Sequence, residues 1–377
     1  MRILLVSYHY PPLVGGVERQ SHLLTKWLVG HGHQVRVVSA RLAGSASREV
    51  LDGVSIQRVS PGRGSRWQKM ATFLAGMLMA SARSIPWADL VHVQQALYPA
   101  AALALVQPLF RRPLVVRNSG SGEFGGVRLM QRLPLGAFGL AMIARHATGV
   151  SLNAEMTREM HQAGFRRVVE IPNGVEVPPA ATPALRAAAR ERLGLSGRVV
   201  VYAGRLEEEK GVDVLIHAWR QASLIDTTLV IVGDGARRGD LERLLAADTS
   251  SARTVTFRGS VANVSSYYTA ADLFVLPSRS EGISNALLEA MAHSLPVVAT
   301  AVGGNRQVLD RDDLGCLVPA GDPAALATAL RRLLDDASAR ARYARNARAH
   351  IEQHYAASRM VERFEQLYAE LVGERAG

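Results

Sequence analysis

Apolar runs of strand length alternate with stretches of helical spacing along the whole chain. In the first half, Arg2–Ser7, Gln34–Ser39, Leu90–Val93, Pro113–Arg117, Gly149–Leu152 and Val168–Ile171 read as strands. Between the first two, Val17–Leu28 repeats apolar residues at helical spacing and ends at Gly30. The second half repeats the alternation with Val199–Ala203, Leu229–Val232, Val255–Phe257, Leu273–Leu276, Val297–Ala299 and Leu317–Val318. Helical patterns intervene at Val212–Gln221, Asp240–Ala247 and Asn285–His293. Such alternation implies parallel sheets covered on both faces, an α/β fold of Rossmann-like, doubly wound domains. The proline-rich stretch Pro178–Pro183 divides them. The expected organisation is a domain over 1–177, a linker over 178–183 and a second domain over 184–355. A closing helix within 356–377 carries Met360, Val361, Phe364, Leu367, Tyr368 and Leu371 at helical spacing and is expected to cross back to the first domain. Ligands of these sheets bind beyond the carboxyl ends of the strands, so two of them facing each other predict a central cleft.

Composition narrows the class. A chain of 377 residues suffices for two cores, and 48% hydrophobic with 20% charged residues excludes a disordered chain. The single cysteine, Cys316, excludes an intramolecular disulfide and a cysteine-based zinc site, in keeping with a reducing cytoplasm. Met1–Ser7 is expected to be the first buried strand, not a secretory leader. The apolar stretches near Ala71–Ala80 and Ala100–Phe110 fall short of the ~20 residues of a membrane span. Net charge is +11, unevenly placed: residues 1–175 hold 20 Lys/Arg against 8 Asp/Glu, and residues 176–377 hold 24 against 25. A basic first half favours an anionic partner: a membrane surface, a phosphorylated acceptor or nucleic acid. Nucleic acid is disfavoured, because no basic motif interleaved with aromatics accompanies the charge.

Three segments carry candidate chemistry. Pro11–Glu18 places Gly15-Gly16 between the first strand and the first helix, where glycine either lets the backbone approach a phosphate at the helix N-terminus or serves the turn alone. Ala203–Leu206 with Lys210-Gly211 follows the first strand of the second domain. One loop there can aim Arg205 and Lys210 at the same diphosphate, the alternative being two solvated cations. Ser280–Ala292 is the strongest. Ser284 or Asn285 can cap a helix whose first N–H groups take an anion, while Glu281 and Glu289 can accept from sugar hydroxyls. A capped amphipathic helix with one ion-paired glutamate remains the plain alternative.

The order of these marks resembles retaining glycosyltransferase family 4, of the GT-B fold, over almost the whole chain. The matching residues are Gly15–Glu18, Gly30–Val35, Ile171–Val175, Gly204-Arg205 with Lys210-Gly211, Val232–Gly235, Glu281 with Glu289, and Leu295–Thr300 with Val302–Gly304. The resemblance implies transfer of a sugar from a UDP- or GDP-linked donor, with retention and without a metal or other cofactor. It implies that Arg205 and Lys210 hold the diphosphate and that the backbone of Ile283, Ser284, Asn285 and Ala286 supports phosphate and sugar. Glu289 would bind the ribose, the backbone near Arg258 the base, and Gly16 would close on the donor from the first domain. Glu281 would touch the hydroxyls of the transferred sugar. Asn118 stands where family members often carry a histidine near the anomeric carbon, and Gln307 where a glutamate commonly follows the glycine turn. The implied acceptor is a glycan or lipid-linked molecule in cell-surface polysaccharide or glycolipid synthesis, at the cytoplasmic side of a membrane.

Other readings remain on the same residues. A nucleotide-sugar 2-epimerase would yield a new nucleotide sugar from donor alone, and a silent sugar-nucleotide-binding protein would release no nucleotide. His92 is expected to be structural, and Asp310-Arg311-Asp312 a solvated loop, not a metal motif. Arg63–Met70 leads into Phe73, Leu74, Met77, Leu78 and Met79, which read either as a helix lying on an anionic membrane or as a core-facing helix.

Overall fold

The structure is a computed structural model that describes residues 1–12, 15–42, 44–120, 125–248 and 252–374, without the side chains of Arg66 and Trp67. Leu13 and Val14, within the segment Pro11–Glu18 named above, lie outside the described residues. The chain divides into two compact units, Met1–Gly174 with Ala357–Gly377, and Val175–Ala356.

The strands of the first unit are β1 (Arg2–Ser7), β2 (Gln34–Ala40), β3 (Arg48–Leu51), β4 (Val54–Val59), β5 (Leu90–Gln94), β6 (Leu114–Arg117), β7 (Thr148–Ser151) and β8 (Val168–Glu170). They form one sheet in the order β3-β4-β2-β1-β5-β6-β7-β8, parallel except for the β3–β4 hairpin. That hairpin escaped the sequence reading because β3 has only two apolar residues and buries none of its four, while β4 buries only alternate positions, one of them Arg58. The helices are α1 (Gly16–Gly30), α2 (Arg66–Ser84), α3 (Tyr98–Phe110), α4 (Gly126–Arg132), α5 (Gly136–His146) and α6 (Ala154–Gln162). Leu4, Val6, Val93 and Val116 face a cluster that includes Phe73 and Met77 of α2, Ala100 and Leu103 of α3, and Leu140 and Ile143 of α5.

The apolar face of α2 is therefore turned into the core. Phe73 and Met77 are buried, and Leu74 and Leu78 pack against the same cluster. The membrane-lying alternative for this helix fails because its face is needed to cover the sheet.

The strands of the second unit are β9 (Arg198–Ala203), β10 (Thr227–Val232), β11 (Val255–Gly259), β12 (Leu273–Leu276), β13 (Val297–Thr300) and β14 (Cys316–Val318), in the order β11-β10-β9-β12-β13-β14. All pair in parallel. Its helices are α7 (Pro183–Leu193), α8 (Val212–Ala222), α9 (Arg238–Ala246), α10 (Ser265–Ala270), α11 (Asn285–Ala292), α12 (Gly303–Val308), α13 (Pro323–Asp335) and α14 (Ala337–His354). The contact boundary falls at Gly174/Val175, ahead of the proline-rich stretch. Pro178 and the residues after it are tied into the second unit: the Arg348 guanidinium donates to the Pro178 carbonyl at 2.8 Å, and Pro183 opens α7 behind a Thr182 cap.

The final helix, α15 (Ala357–Gly373), buries Met360, Val361, Phe364, Leu367 and Tyr368 with Ile3, Leu5, Leu24 and Leu28 of the first unit. His92 lies beneath it, fully buried, its Nδ1 2.6 Å from the Tyr368 hydroxyl and its ring 5.2 Å from that of Phe364. Burial, with the Arg117 guanidinium adding to it, pushes the His92 imidazole down to about 3.

An unfolded histidine titrates near 6.5, so below that pH the unfolded chain binds a proton that the folded one refuses, and stability falls as pH drops towards 3. Between pH 7.5 and 5.5 the wild-type protein should lose about 1 kcal/mol more than a His92→Gln variant in urea unfolding. Equal losses in the two proteins would show that His92 is not held neutral.

Candidate functional site

The residues singled out in the second unit gather beyond the carboxyl ends of β9, β11 and β12, where loops approach one another backbone to backbone. Gly211, at φ 63°, closes the turn Glu208–Lys210, and a β-carbon on it would stand 2.2 Å from the Pro277 carbonyl oxygen. A β-carbon on Gly303 would fall 1.9 Å from the Glu281 carbonyl oxygen, and one on Gly304 1.7 Å from that of Gly282. Only glycine permits such approaches. Side chains complete the join. Arg279 grips Asp213 through two bonds of 2.6 and 2.8 Å and donates to the Glu208 carbonyl at 2.8 Å, and the Thr300 hydroxyl donates to the Ser278 carbonyl at 2.5 Å.

This join fixes Glu281, which is 8% exposed. Its Oε1 accepts from Lys210 Nζ at 2.8 Å and from the buried Ser278 hydroxyl at 2.7 Å. The pair is charge-assisted and largely withdrawn from water, so it is far less screened than a surface ion pair. Beneath it lies Tyr202, whose hydroxyl donates to the Arg205 carbonyl at 2.9 Å. Burial, with the Glu281 carboxylate adding to it, pushes the Tyr202 phenol well above its ordinary range, so it stays a neutral donor.

Arg205 and Lys210 do not converge on one partner. The Arg205 guanidinium is 64% exposed and pairs with Glu209 at 2.8 Å, whereas Lys210 is 18% exposed and turned onto Glu281. Ser284, not Asn285, caps α11, its hydroxyl accepting from the Leu287 N–H at 3.4 Å. Ile283 and Ser284 are buried, while Asn285 and Ala286 are half-exposed at the start of the helix, where the backbone N–H groups carry partial positive charge. Glu289 lies further along α11 and accepts from the Tyr268 hydroxyl at 3.2 Å. The Arg258 side chain is turned to the Leu193 carbonyl at 3.0 Å, and the chain beside it joins the loop cluster through Gly259, whose carbonyl accepts from the Gly233 N–H at 2.8 Å.

Two candidates belong to the first unit. Gly16 opens α1 behind Gly15, which is extended and supplies no side-chain cap. Asn118, just past β6, is completely buried. Its backbone N–H donates to Val150 at 2.8 Å, and neither atom of its side-chain amide meets a partner among the described residues. Buried amides are ordinarily satisfied, so this one has capacity left for a hydroxyl or a water. No group of three or more His, Cys, Asp or Glu among the described residues could hold a metal ion, and Arg311 beside Asp310 and Asp312 pairs instead with Asp313 at 3.0 Å. Ser278, Thr300 and the Arg279–Asp213 pair escaped the sequence reading. The only local signal was the position of Pro277-Ser278 directly after β12.

Comparison with known proteins follows the same division. Residues 14–177 match the profile described as Glycosyltransferase Family 4, and residues 197–336 that described as Glycosyl transferases group 1. A D-inositol 3-phosphate glycosyltransferase of Xylanimonas cellulosilytica is 31% identical over 92% of each chain. Among solved structures, a sucrose-phosphate synthase from Thermosynechococcus elongatus superposes with a TM-score of 0.84 at 21% identity over 99% of each chain. Anabaena HepE in complex with UDP-glucose gives 0.83 at 21% identity, over 98% of this chain and 100% of that one. Such neighbours have the GT-B fold, and the two parallel-sheet units described above are its two domains.

The glycine joins are open to a direct test. Gly304→Ala should lower the stability of the protein by about 3 kcal/mol or more in urea unfolding, because a backbone carbonyl must move. An unchanged midpoint would mean that the loops slide apart at no cost.

Proposed function

Because the chain belongs to glycosyltransferase family 4, a glycosyltransferase by descent, we propose that it moves a sugar from a nucleoside diphosphate sugar, UDP- or GDP-linked, to a glycan or lipid-linked acceptor with retention of anomeric configuration. The observation that carries this reading is the buried Glu281 carboxylate, held by Lys210 and Ser278 beside the N-terminus of α11.

The chemistry follows from those groups. The donor diphosphate takes its countercharge from Lys210, Arg205 and the helix N-terminus, so the departing nucleotide is stabilised by fixed protein charge without a metal. Glu289 binds the ribose diol, and the backbone at Arg258 meets the base. Glu281, held in place by Lys210 and Ser278, accepts from hydroxyls of the sugar and faces the positive charge that grows at the anomeric carbon. The bond from that carbon to the phosphate oxygen breaks while the acceptor oxygen bonds on the same face, and the acceptor proton passes to the departing phosphate. Asn118, in the first unit, offers a neutral amide to a sugar hydroxyl. Two neighbours support the assignment by what they handle: the Xylanimonas enzyme is named for a phosphorylated acceptor, and HepE was solved with UDP-glucose. The basic surplus of residues 1–175 suits an anionic acceptor or an anionic membrane, and we place the reaction at the cytoplasmic face of the membrane, in cell-surface polysaccharide or glycolipid synthesis.

A thermal-shift panel of nucleoside diphosphate sugars should single out one donor, because a ligand that binds only the folded state stabilises it by mass action. With that donor, Lys210→Ala and Glu281→Gln should each lower kcat/KM on the order of a thousandfold. Full turnover in either variant, or a new nucleotide sugar formed without acceptor, would refute the proposal.

A further inference from the structure

Glu289 is held at both ends by the short helix that follows β11. Tyr268 of α10, 1% exposed, donates from its hydroxyl to Glu289 Oε2 at 3.2 Å. Its ring meets Phe274 of β12 edge-on, centroids 5.9 Å apart, and lies 5.2 Å from the ring of His293, so packing restrains the phenol. The other end of Glu289 is its backbone carbonyl. His293, just past α11, places Nδ1 2.7 Å from that oxygen and Nε2 2.6 Å from the Ser265 hydroxyl at the start of α10.

The tautomer follows from the partners. A carbonyl oxygen can only accept, so Nδ1 carries the proton and Nε2 accepts from the Ser265 hydroxyl. Burial, with the Arg348 guanidinium adding to it, holds the His293 imidazole below its ordinary range against the opposing bond to Glu289. The clasp is therefore made by a neutral ring at neutral pH. A buried tyrosine needs some partner for its hydroxyl, and a backbone carbonyl would serve. The partner here is a half-buried carboxylate, a group whose two oxygens together take about four donors. One phenol orients such a group and does not by itself saturate it.

The two holds act on different freedoms. His293 and Ser265 tie down the backbone of Glu289, and Tyr268 sets the turn of the carboxylate plane about its terminal bond, which is otherwise a soft torsion. One carboxylate grips two adjacent hydroxyls only when each hydroxyl meets its own oxygen in line, so the turn of that plane decides whether one bond forms or two. The segment that carries α10 also begins at the end of β11, beside Arg258 and Gly259. A single connection between β11 and β12 thus supports both the base contact and the ribose contact of the proposed donor site.

We propose that Tyr268 is a positioning residue for the nucleoside: its hydroxyl turns the Glu289 carboxylate so that both oxygens meet the 2′ and 3′ hydroxyls together, and the protein thereby selects ribonucleoside over 2′-deoxyribonucleoside diphosphates. The proposal rests on the reading of Glu289 as the ribose ligand. The test is calorimetric titration of the full chain with UDP, GDP and their 2′-deoxy counterparts, which needs no acceptor. Wild-type protein should bind the ribonucleotide on the order of a hundredfold more tightly than its deoxy form. Tyr268→Phe keeps the ring and its packing and should shrink that ratio to about tenfold, chiefly by weakening the ribonucleotide. In Glu289→Gln the ratio should already be small, and Tyr268→Phe added to it should change the ratio no further, because the hydroxyl acts through the carboxylate. A full ratio retained in Tyr268→Phe, or a further loss in the double variant, would overturn the role of Tyr268 while leaving Glu289 on the ribose. Equal binding of ribonucleotide and deoxynucleotide by the wild type would remove Glu289 from the ribose, and the proposal with it, but leave the nucleotide site standing. Binding of neither UDP nor GDP would overturn the donor reading itself.

Discussion

The second unit depends on a steric constraint: its loops are pressed together until carbonyl oxygens stand where β-carbons would be. Gly211 meets Pro277 in this way, and Gly303 and Gly304 meet Glu281 and Gly282. Each contact is backbone to backbone, so no rotamer change can relieve a larger residue. Three loops after three different strands therefore behave as one rigid piece. A carboxylate on that piece has its position set by the sheet, not by its own rotamer preferences, and electrostatic catalysis requires that kind of preorganisation.

The ion pair between Lys210 and Glu281 follows from that constraint. Alone, a carboxylate only 8% exposed would be costly, since desolvation disfavours its charged form. Lys210 and Ser278 offset that cost by placing an ammonium and a hydroxyl on the same oxygen. In the reaction proposed above, this arrangement would couple two substrate groups: a diphosphate that recruited Lys210 would loosen its hold on Glu281 where hydroxyls of the donor sugar arrive to replace it. Removal of one partner therefore affects both ends of the donor.

Local pattern made most of the frame legible. Parallel strands buried on both faces give continuous apolar runs, and twelve of them were placed from those runs to within a residue or two; the β3–β4 hairpin was not, because β3, at the sheet edge, buries none of its four residues and β4 buries only alternate positions, one of them Arg58. Glu281, Lys210 and Ser284 were legible through motif order. Their neighbours were not, because Ser278 bonds Glu281, Arg279 bonds Asp213 and Thr300 bonds Ser278 only once distant loops have been brought together. The amphipathic helix α2 stayed open between two readings for a related reason. Its moment showed that one face is apolar but not whether that face meets lipid or sheet, and Phe73 and Met77 answer that it meets the sheet.

The uneven charge takes on meaning from the same comparison. The second unit balances its charges internally, pairing Arg205 with Glu209, Lys210 with Glu281 and Arg279 with Asp213. Such pairing orients side chains but leaves little long-range field. Residues 1–175 cannot do this, with 20 cations against 8 acids, and the stretch from 98 to 146 has Glu123 as its one acid. An unbalanced field reaches about a Debye length, roughly 10 Å at ordinary salt, and so acts on a surface before any contact forms. Short-range pairing suits a group that must be held to within a fraction of an ångström, and a net field suits a partner that must only be found. The two halves of the chain divide their charge along that line.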